Sequence, residues 1–179
     1  MVQVYCKLPI TKLAPKMFRM TVLAASTISS AVTLPTEMDD ARNKIGISDE
    51  VASLVLPLGM PLNSNGSALH MACTAVFVSQ MFNMPFEGSM LVYVCVIAWL
   101  LSLANAVAPG ATLISLTMLM PALGLPLEAV AILGGLEYIV AAIRTTLNVN
   151  SDVFSALLVA KSENAIDYDV FNGTKRLDA

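Results

Sequence analysis

Charge is scarce in this sequence. Asp, Glu, Lys and Arg make up 13% of its 179 residues, against about 25% in ordinary globular domains. With 56% hydrophobic side chains and a mean hydropathy of +0.73, the shortage argues against disorder and against a water-soluble domain. Histidine occurs once, at His70, too few for a His-rich metal site or a credible Ser-His-Asp triad. Cys6, Cys73 and Cys95 show no CxxC spacing, which argues against a zinc site and a disulfide framework. The net charge is −3 and no basic stripe is present, so a nucleic-acid partner is not expected. The start of the chain lacks the apolar core of a signal peptide, because Lys7, Lys12, Lys16 and Arg19 interrupt it, with Pro9 and Pro15 between them.

What is present is a pattern of long uncharged runs. No Asp, Glu, Lys or Arg occurs from Val51 to Phe86, nor from Gly88 to Leu127. Each run exceeds the roughly 20 apolar residues that one membrane helix needs, so each must turn or break inside. Pro57, Pro61 and Gly66 are the breakers of the first, and Pro109-Gly110 and Pro121 those of the second. The expected class is an all-α integral membrane protein. Basic residues gather in three places: the first stretch up to Arg19, Arg42 with Lys44, and Lys161 with Lys175-Arg176. Cytoplasmic loops favour Lys and Arg, so these three places are expected in the cytoplasm, and the acidic turns at Glu87 and Glu128 outside. The protein is then multi-pass in the cell (inner or plasma) membrane, with its C-terminus cytoplasmic.

Along the chain, residues 1–16 read as a juxtamembrane lead-in. A first hairpin occupies about 17–46, with short arms around Ser26–Ser30. Ser48-Asp49-Glu50 signals a helix start and opens a helix over 49–82, broken around Pro61–Ser67. A second hairpin spans about 89–123 with its tip at Asn105–Gly110. A further helix covers 126–161, weakened at Asn150-Ser151-Asp152, and 162–179 forms a polar tail lying free at the surface. Leu62-Asn63-Ser64-Asn65-Gly66-Ser67 echoes Leu147-Asn148-Val149-Asn150-Ser151-Asp152. An inverted repeat with discontinuous helices is the mark of a secondary transporter and locates its site.

Five motifs then resemble the dicarboxylate/amino acid:cation symporter family, the glutamate transporter homologues. They are Ser29-Ser30-Ala31-Val32-Thr33-Leu34-Pro35, Leu56-Pro57-Leu58-Gly59 with Asn63–Ser67, Ala108-Pro109-Gly110-Ala111, Arg144-Thr145-Thr146-Leu147-Asn148-Val149 with Asp152, and Val159-Ala160-Lys161. Their order and approximate spacings are the family's, over roughly Met17 to Glu163. The resemblance implies two re-entrant helical hairpins alternating with two broken transmembrane helices. It also implies secondary active symport of a dicarboxylate-like anion, or an acidic amino acid, coupled to Na+ or H+. The mechanism would be elevator-type alternating access in a homotrimer, with no organic cofactor. The chain resembles only the second half of such a transporter, without the scaffold, which implies a start upstream of Met1, a separately encoded N-terminal half or a decayed gene. A truncated, transport-inactive fragment or interaction module is the alternative. An intramembrane enzyme is not expected, because the midplane offers few titratable groups for acid–base work.

Arg144 is the sharpest single signal. An arginine at mid-membrane costs about 2.5–3.5 kcal/mol on insertion scales and usually lines a site or pathway. Its planar fork suits a carboxylate, and the resemblance implies that it grips the substrate's side-chain carboxylate. The bland alternative is a structural pair with Glu137. Ser29 and Ser30 fall at the first tip, where free backbone N–H groups favour an anion and hydroxyls can also cap a half-helix. The resemblance places a substrate carboxylate there, with Ser67 and Asn148 also facing substrate. Pro109, Gly110 and Ala111 would form the second tip, the family's gate, or a plain tight turn. Asn63, Asn148 and Asp152 fall where the family holds sodium; hard cations take oxygen ligands, and the asparagines could instead hydrogen-bond between helices. Four departures qualify the match. Ala141 stands where amino-acid carriers place an Asp for the substrate ammonium, which favours an anion without an amine. Asn65 replaces an Asp, leaving a weakened cation site and opening the way to fewer sodium ions or to protons. Ser64 replaces a Met, and Ile28 stands where a polar residue can occur. His70 is better read as packed than as a proton relay, and the methionines as apolar filler.

Overall fold

The computed structural model describes residues 2–104 and 111–175. Among these the regular structure is helical, apart from one antiparallel bridge between Ile47 and Ile166. Ten α-helices follow in order: α1 (Val2–Tyr5), α2 (Ile10–Thr27), α3 (Ser30–Asp40), α4 (Asp49–Leu62), α5 (Asn65–Met81), α6 (Ser89–Leu103), α7 (Ala111–Ala122), α8 (Glu128–Gly134), α9 (Glu137–Ser162) and α10 (Tyr168–Asn172). A π-helical turn, Ala41–Ile45, extends α3.

α2 and α3 form the first hairpin. Its first arm begins at Ile10, ahead of the expected start near residue 17, because Pro9 accepts from the amides of Lys12 and Leu13 and the helix continues through Pro15. The turn at the tip is tight. Ile28 adopts φ +53° and Ser29 is extended, so the chain reverses within two residues. A β-branched residue with positive φ is a strained choice. At the base of the hairpin, Gly46 takes φ +83°, and a Cβ there would overlap the carbonyl oxygen of Asp167. Both demands select glycine.

α4 starts where Ser48 caps it, its Oγ accepting from the Val51 amide. It runs through Pro57 and Pro61 and breaks at Asn63-Ser64, inside the expected interval. The second long helix differs from expectation. α9 is unbroken from Glu137 to Ser162, and Asn150-Ser151-Asp152 sit in mid-helix. The break lies earlier, at Gly135-Leu136, where α8 and α9 meet at 80°. No Gly or Pro occurs within α9, so its backbone ladder stays closed, whereas Gly134-Gly135 offers little resistance to bending. No single described helix is long and apolar enough to cross a membrane, but the bent pair α8–α9 passes the same test of length and composition.

Two apolar cores form. One gathers Leu13, Met20, Ala24, Ile45, Leu56, Val153 and Leu157 around the first hairpin, α4 and α9. The other gathers Met71, Val78, Val94, Leu116 and Met120 around α5–α8. Large apolar side chains also face outward on α6–α9, among them Val92, Trp99, Ile114, Ile132, Tyr138 and Ile143. The tail is not free. The Asp167 amide donates to the Gly46 carbonyl, Val170 and Phe171 are buried, and Tyr168 Oη donates to the Cys6 carbonyl. The free-tail reading weighed polar composition and missed this short apolar anchor. The three basic places come together through it: Lys12 bonds Asn172, Lys16 lies over the Phe171 ring, and α10 packs on the π-turn that carries Arg42 and Lys44.

Candidate functional site

Buried polar side chains line α9 and the break it faces. Arg144, Asn148 and Asp152 recur at four-residue steps, Thr145 stands three before Asn148, and all are buried, so they share one face of the helix. The α4–α5 break is docked on that face. The Gly66 amide donates to Asn148 Oδ1 at 2.8 Å, and Asn148 Nδ2 donates to Ser67 Oγ at 3.4 Å. The approach is close: a Cβ on Gly66 would stand 2.5 Å from the Arg144 carbonyl oxygen and 3.0 Å from Asn148 Oδ1. Asn148 therefore satisfies a helix-start amide that the break leaves without an intrahelical partner.

One turn along, Asn63 Nδ2 donates to Asp152 Oδ1 at 2.8 Å and to Ser151 Oγ at 3.0 Å, and Asn63 Oδ1 accepts from Asn65 Nδ2. Gly59 leaves room for the same carboxylate, since a Cβ there would lie 2.8 Å from Asp152 Oδ1. Asp152 is 1% exposed, and among the described residues its Oδ2 has no hydrogen-bond partner. A buried carboxylate with an idle oxygen, surrounded by amide and hydroxyl groups, fits a hard cation. Among the described residues no group of three or more His, Cys, Asp or Glu could hold a metal, so a cation here would draw part of its shell from neutral oxygens. Asn65 is exposed and adds none of the charge of an Asp.

Arg144 is buried, and Glu137 at the start of the same helix interacts with it electrostatically. His70 also feels the Arg144 charge. His70 and Glu137 line one recess with Cys73, Thr74 and Leu136, of about 310 Å³. Ala141, buried one turn before Arg144, presents only a methyl group. At the first tip, Ser29 Oγ accepts from the Val32 amide at 3.3 Å, and the Thr33 hydroxyl donates to the Ser29 carbonyl at 2.8 Å. Ser29 and Ser30 are both buried, and α3 packs on α9. Ser29 is thus a helix cap, and this hydroxyl closes the start of α3.

The structure joins Ser67 to Asn148, Asn63 to Asp152, and Asn65 to Asn63; no described hydrogen bond links these to Ser29 or Ser30. Pro109 and Gly110 lie outside the described residues, and Ala111 enters only as the first residue of α7. Sequence reasoning missed two participants. Asn150 Oδ1 accepts from Thr21 Oγ1 at 2.9 Å and ties α9 to α2. Glu37 is the second, close in sequence to the charged Asp39, Asp40 and Arg42 yet buried within α3. The signal for it was present: Ser30, Thr33, Glu37 and Asp40 form an inward stripe at helical spacing.

The model of the sodium:dicarboxylate symporter family matches residues 1–162. Among curated proteins, the chain is 35% identical over 149 residues to excitatory amino acid transporter 2 of Mus musculus, covering 82% of this chain and 26% of that one. It is 32% identical over 144 residues to the proton/glutamate-aspartate symporter of Bacillus subtilis (80% and 34%). It is 30% identical over 142 residues to the proton/sodium-glutamate symport protein of Bacillus caldotenax (79% and 34%). The chain therefore spans about a quarter to a third of the length of these relatives.

Proposed function

The chain belongs to the sodium:dicarboxylate symporter family, and we propose that it forms the anion- and cation-binding core of a secondary symporter. The observation that carries this reading is the single face of α9 that buries Arg144, Asn148 and Asp152 against the α4–α5 break. A buried guanidinium and a buried carboxylate on one helix offer an anion and a cation adjacent seats, and each ligand would neutralise charge the other leaves. That is the physical basis of coupling: binding both is easier than binding either alone.

Arg144 would take one carboxylate bidentately. The amides at the start of α3, beside Ser29 and Ser30, would receive the other, with Ser67 and Asn148 completing the wall. Pro109, Gly110 and Ala111 would close the site from the second hairpin. Asp152, with oxygens of Asn63 and Asn148, would hold Na+; a proton is the alternative coupling ion, and Asn65 leaves a weaker cation position. The relatives are named for glutamate and aspartate, but the methyl of Ala141 leaves a substrate ammonium without a counter-charge. A dicarboxylate without an amine, of the succinate or fumarate kind, fits better. The outward apolar faces of α6–α9 suit lipid or a scaffold, in keeping with a multi-pass membrane protein. Its movement would be of the elevator kind, within a homotrimer that includes the remaining part of a full-length transporter.

The test is binding of succinate and of aspartate to the purified chain in lipid nanodiscs, by isothermal titration with sodium present. Succinate is expected to bind and Arg144→Ala to abolish it. Ala141→Asp should shift preference toward aspartate by at least about tenfold, as a restored buried ion pair requires. Absence of saturable binding, or equal binding by Arg144→Ala, would sink the reading in favour of a transport-inactive membrane fragment.

A further inference from the structure

Glu37 is a buried charge that the proposed site leaves unused. It lies on α3, the arm returning from the first tip, and is 1% exposed. Its neighbour on the same stripe, Asp40, is also buried but has Lys44 Nζ at 2.7 Å and Arg19 at 3.6 Å. Glu37 has no ion pair among the described residues, and its Oε1 accepts no hydrogen bond. α3 packs on α4 and α9, and the one ionisable group whose charge acts on Glu37 is a second carboxyl, Asp152 on α9. Both groups are almost wholly buried, and each has an oxygen without a hydrogen-bond partner. Two like charges removed from water repel, and among the described residues no ion pair with a basic side chain answers either. Such a pair calls for positive charge.

We propose that Glu37 is a second carboxylate ligand of the cation held at Asp152, so that a hard, oxygen-ligated metal ion bridges the first hairpin to α9. The inference rests on reading Asp152 as the cation site. Ser151 and Ser155, clustered with Asn63 beside the Asp152 carboxylate, stand ready as neutral oxygens. The arrangement gives the site two formal negative charges although Asn65 is uncharged. It also sets a mechanical consequence. An ion that ties α3 to α9 fixes the arm that carries Ser29 and Ser30, so cation binding would order the anion-binding tip.

The experiment follows thermal unfolding of the whole chain in nanodiscs while NaCl or CaCl2 replaces choline chloride at constant ionic strength. The wild type is expected to be stabilised saturably by one of the two salts, which identifies the ion as monovalent or divalent. Glu37→Gln keeps the shape and removes the charge, and should raise the half-saturating concentration at least tenfold. Asp152→Asn should do the same. If Glu37→Gln does not fold, Glu37→Met, of similar volume, is read in the same titration. Loss of the response in Asp152→Asn with an unchanged midpoint in the Glu37 variant overturns the role of Glu37 and leaves the cation site standing. No saturable response in the wild type overturns both.

Discussion

Arg144 and Gly66 show how closely the site is built at the scale of single residues. The Arg144 carbonyl lies against Gly66 while its guanidinium is buried on the same helix face as Asn148. Gly66→Ala forces a methyl into backbone, not into a flexible side chain, and overpacking of this kind costs about 1–3 kcal/mol. The expected result is a lower unfolding temperature and weaker succinate binding together, read by circular dichroism and titration on one sample. Arg144→Lys keeps the charge but loses the fork that holds a carboxylate by two bonds. It should weaken succinate by about tenfold or more, a difference of about 1.4 kcal/mol, with the helix content unchanged.

At the scale of elements, the hairpin tip and the helix breaks decide where backbone groups are free. Ser29 caps α3 through the Val32 amide. Ser29→Ala removes that cap, at about 1 kcal/mol by analogy with other N-caps, and should raise hydrogen exchange at Val32 more than at Thr33, whose amide bonds the Ser29 carbonyl. The echo between Leu62–Ser67 and Leu147–Asp152 led to an expected break in both copies. Only the first is broken. Asn63 and Asn148 are nonetheless matched in role, because each bonds across to the other copy: Asn63 to Asp152 and Asn148 to Gly66. A break needs only one of two facing helices to open its ladder, and the intact one then satisfies the freed amide.

For the molecule as a whole, the C-terminal segment is part of the packed body. Phe171 belongs to the first core, and Lys16 lies over its ring. Phe171→Ala should destabilise by about 3–5 kcal/mol, seen as a lower unfolding temperature and early protease cleavage near residue 165. Asp167 starts α10 by accepting from the Asp169 and Val170 amides, and Lys175 sits 2.8 Å away. The Lys175 hydrogen bond, followed by those backbone amides, holds the Asp167 carboxyl below its ordinary range. Its folded pKa is depressed, so the stabilisation is complete above the unfolded value and disappears as pH falls through the folded one. Titrating the Val170 amide resonance from neutral to strongly acid pH should therefore show the cap released only below the usual Asp range. An Asp167→Asn variant should show no such step.

Much of this protein was legible in its residues, and for plain reasons. Scarce charge and uncharged runs broken by Pro and Gly imply membrane helices that turn. Asn63, Asn65, Ser67 and Asn148 stand in motifs whose spacing alone brings them to helix breaks or one helix face. What the order of residues could not decide was which partner each polar group meets. Glu37 stands in sequence beside the charged Asp39, Asp40 and Arg42, which gives no sign of burial; only the packing of α3 on α4 and α9 takes it out of water. The tail looked solvated because it is polar on average, yet two apolar side chains and a bridge to Ile47 suffice to dock it. The α9 break moved from Asn150 to Gly135 because small polar residues in mid-helix bend nothing when their side chains find partners across the interface. Composition and periodicity determine which faces must leave water, since that cost is local to each side chain. Which buried polar groups meet is settled by tertiary contact, because partners such as Asn63 and Asp152, or Thr21 and Asn150, lie far apart along the chain.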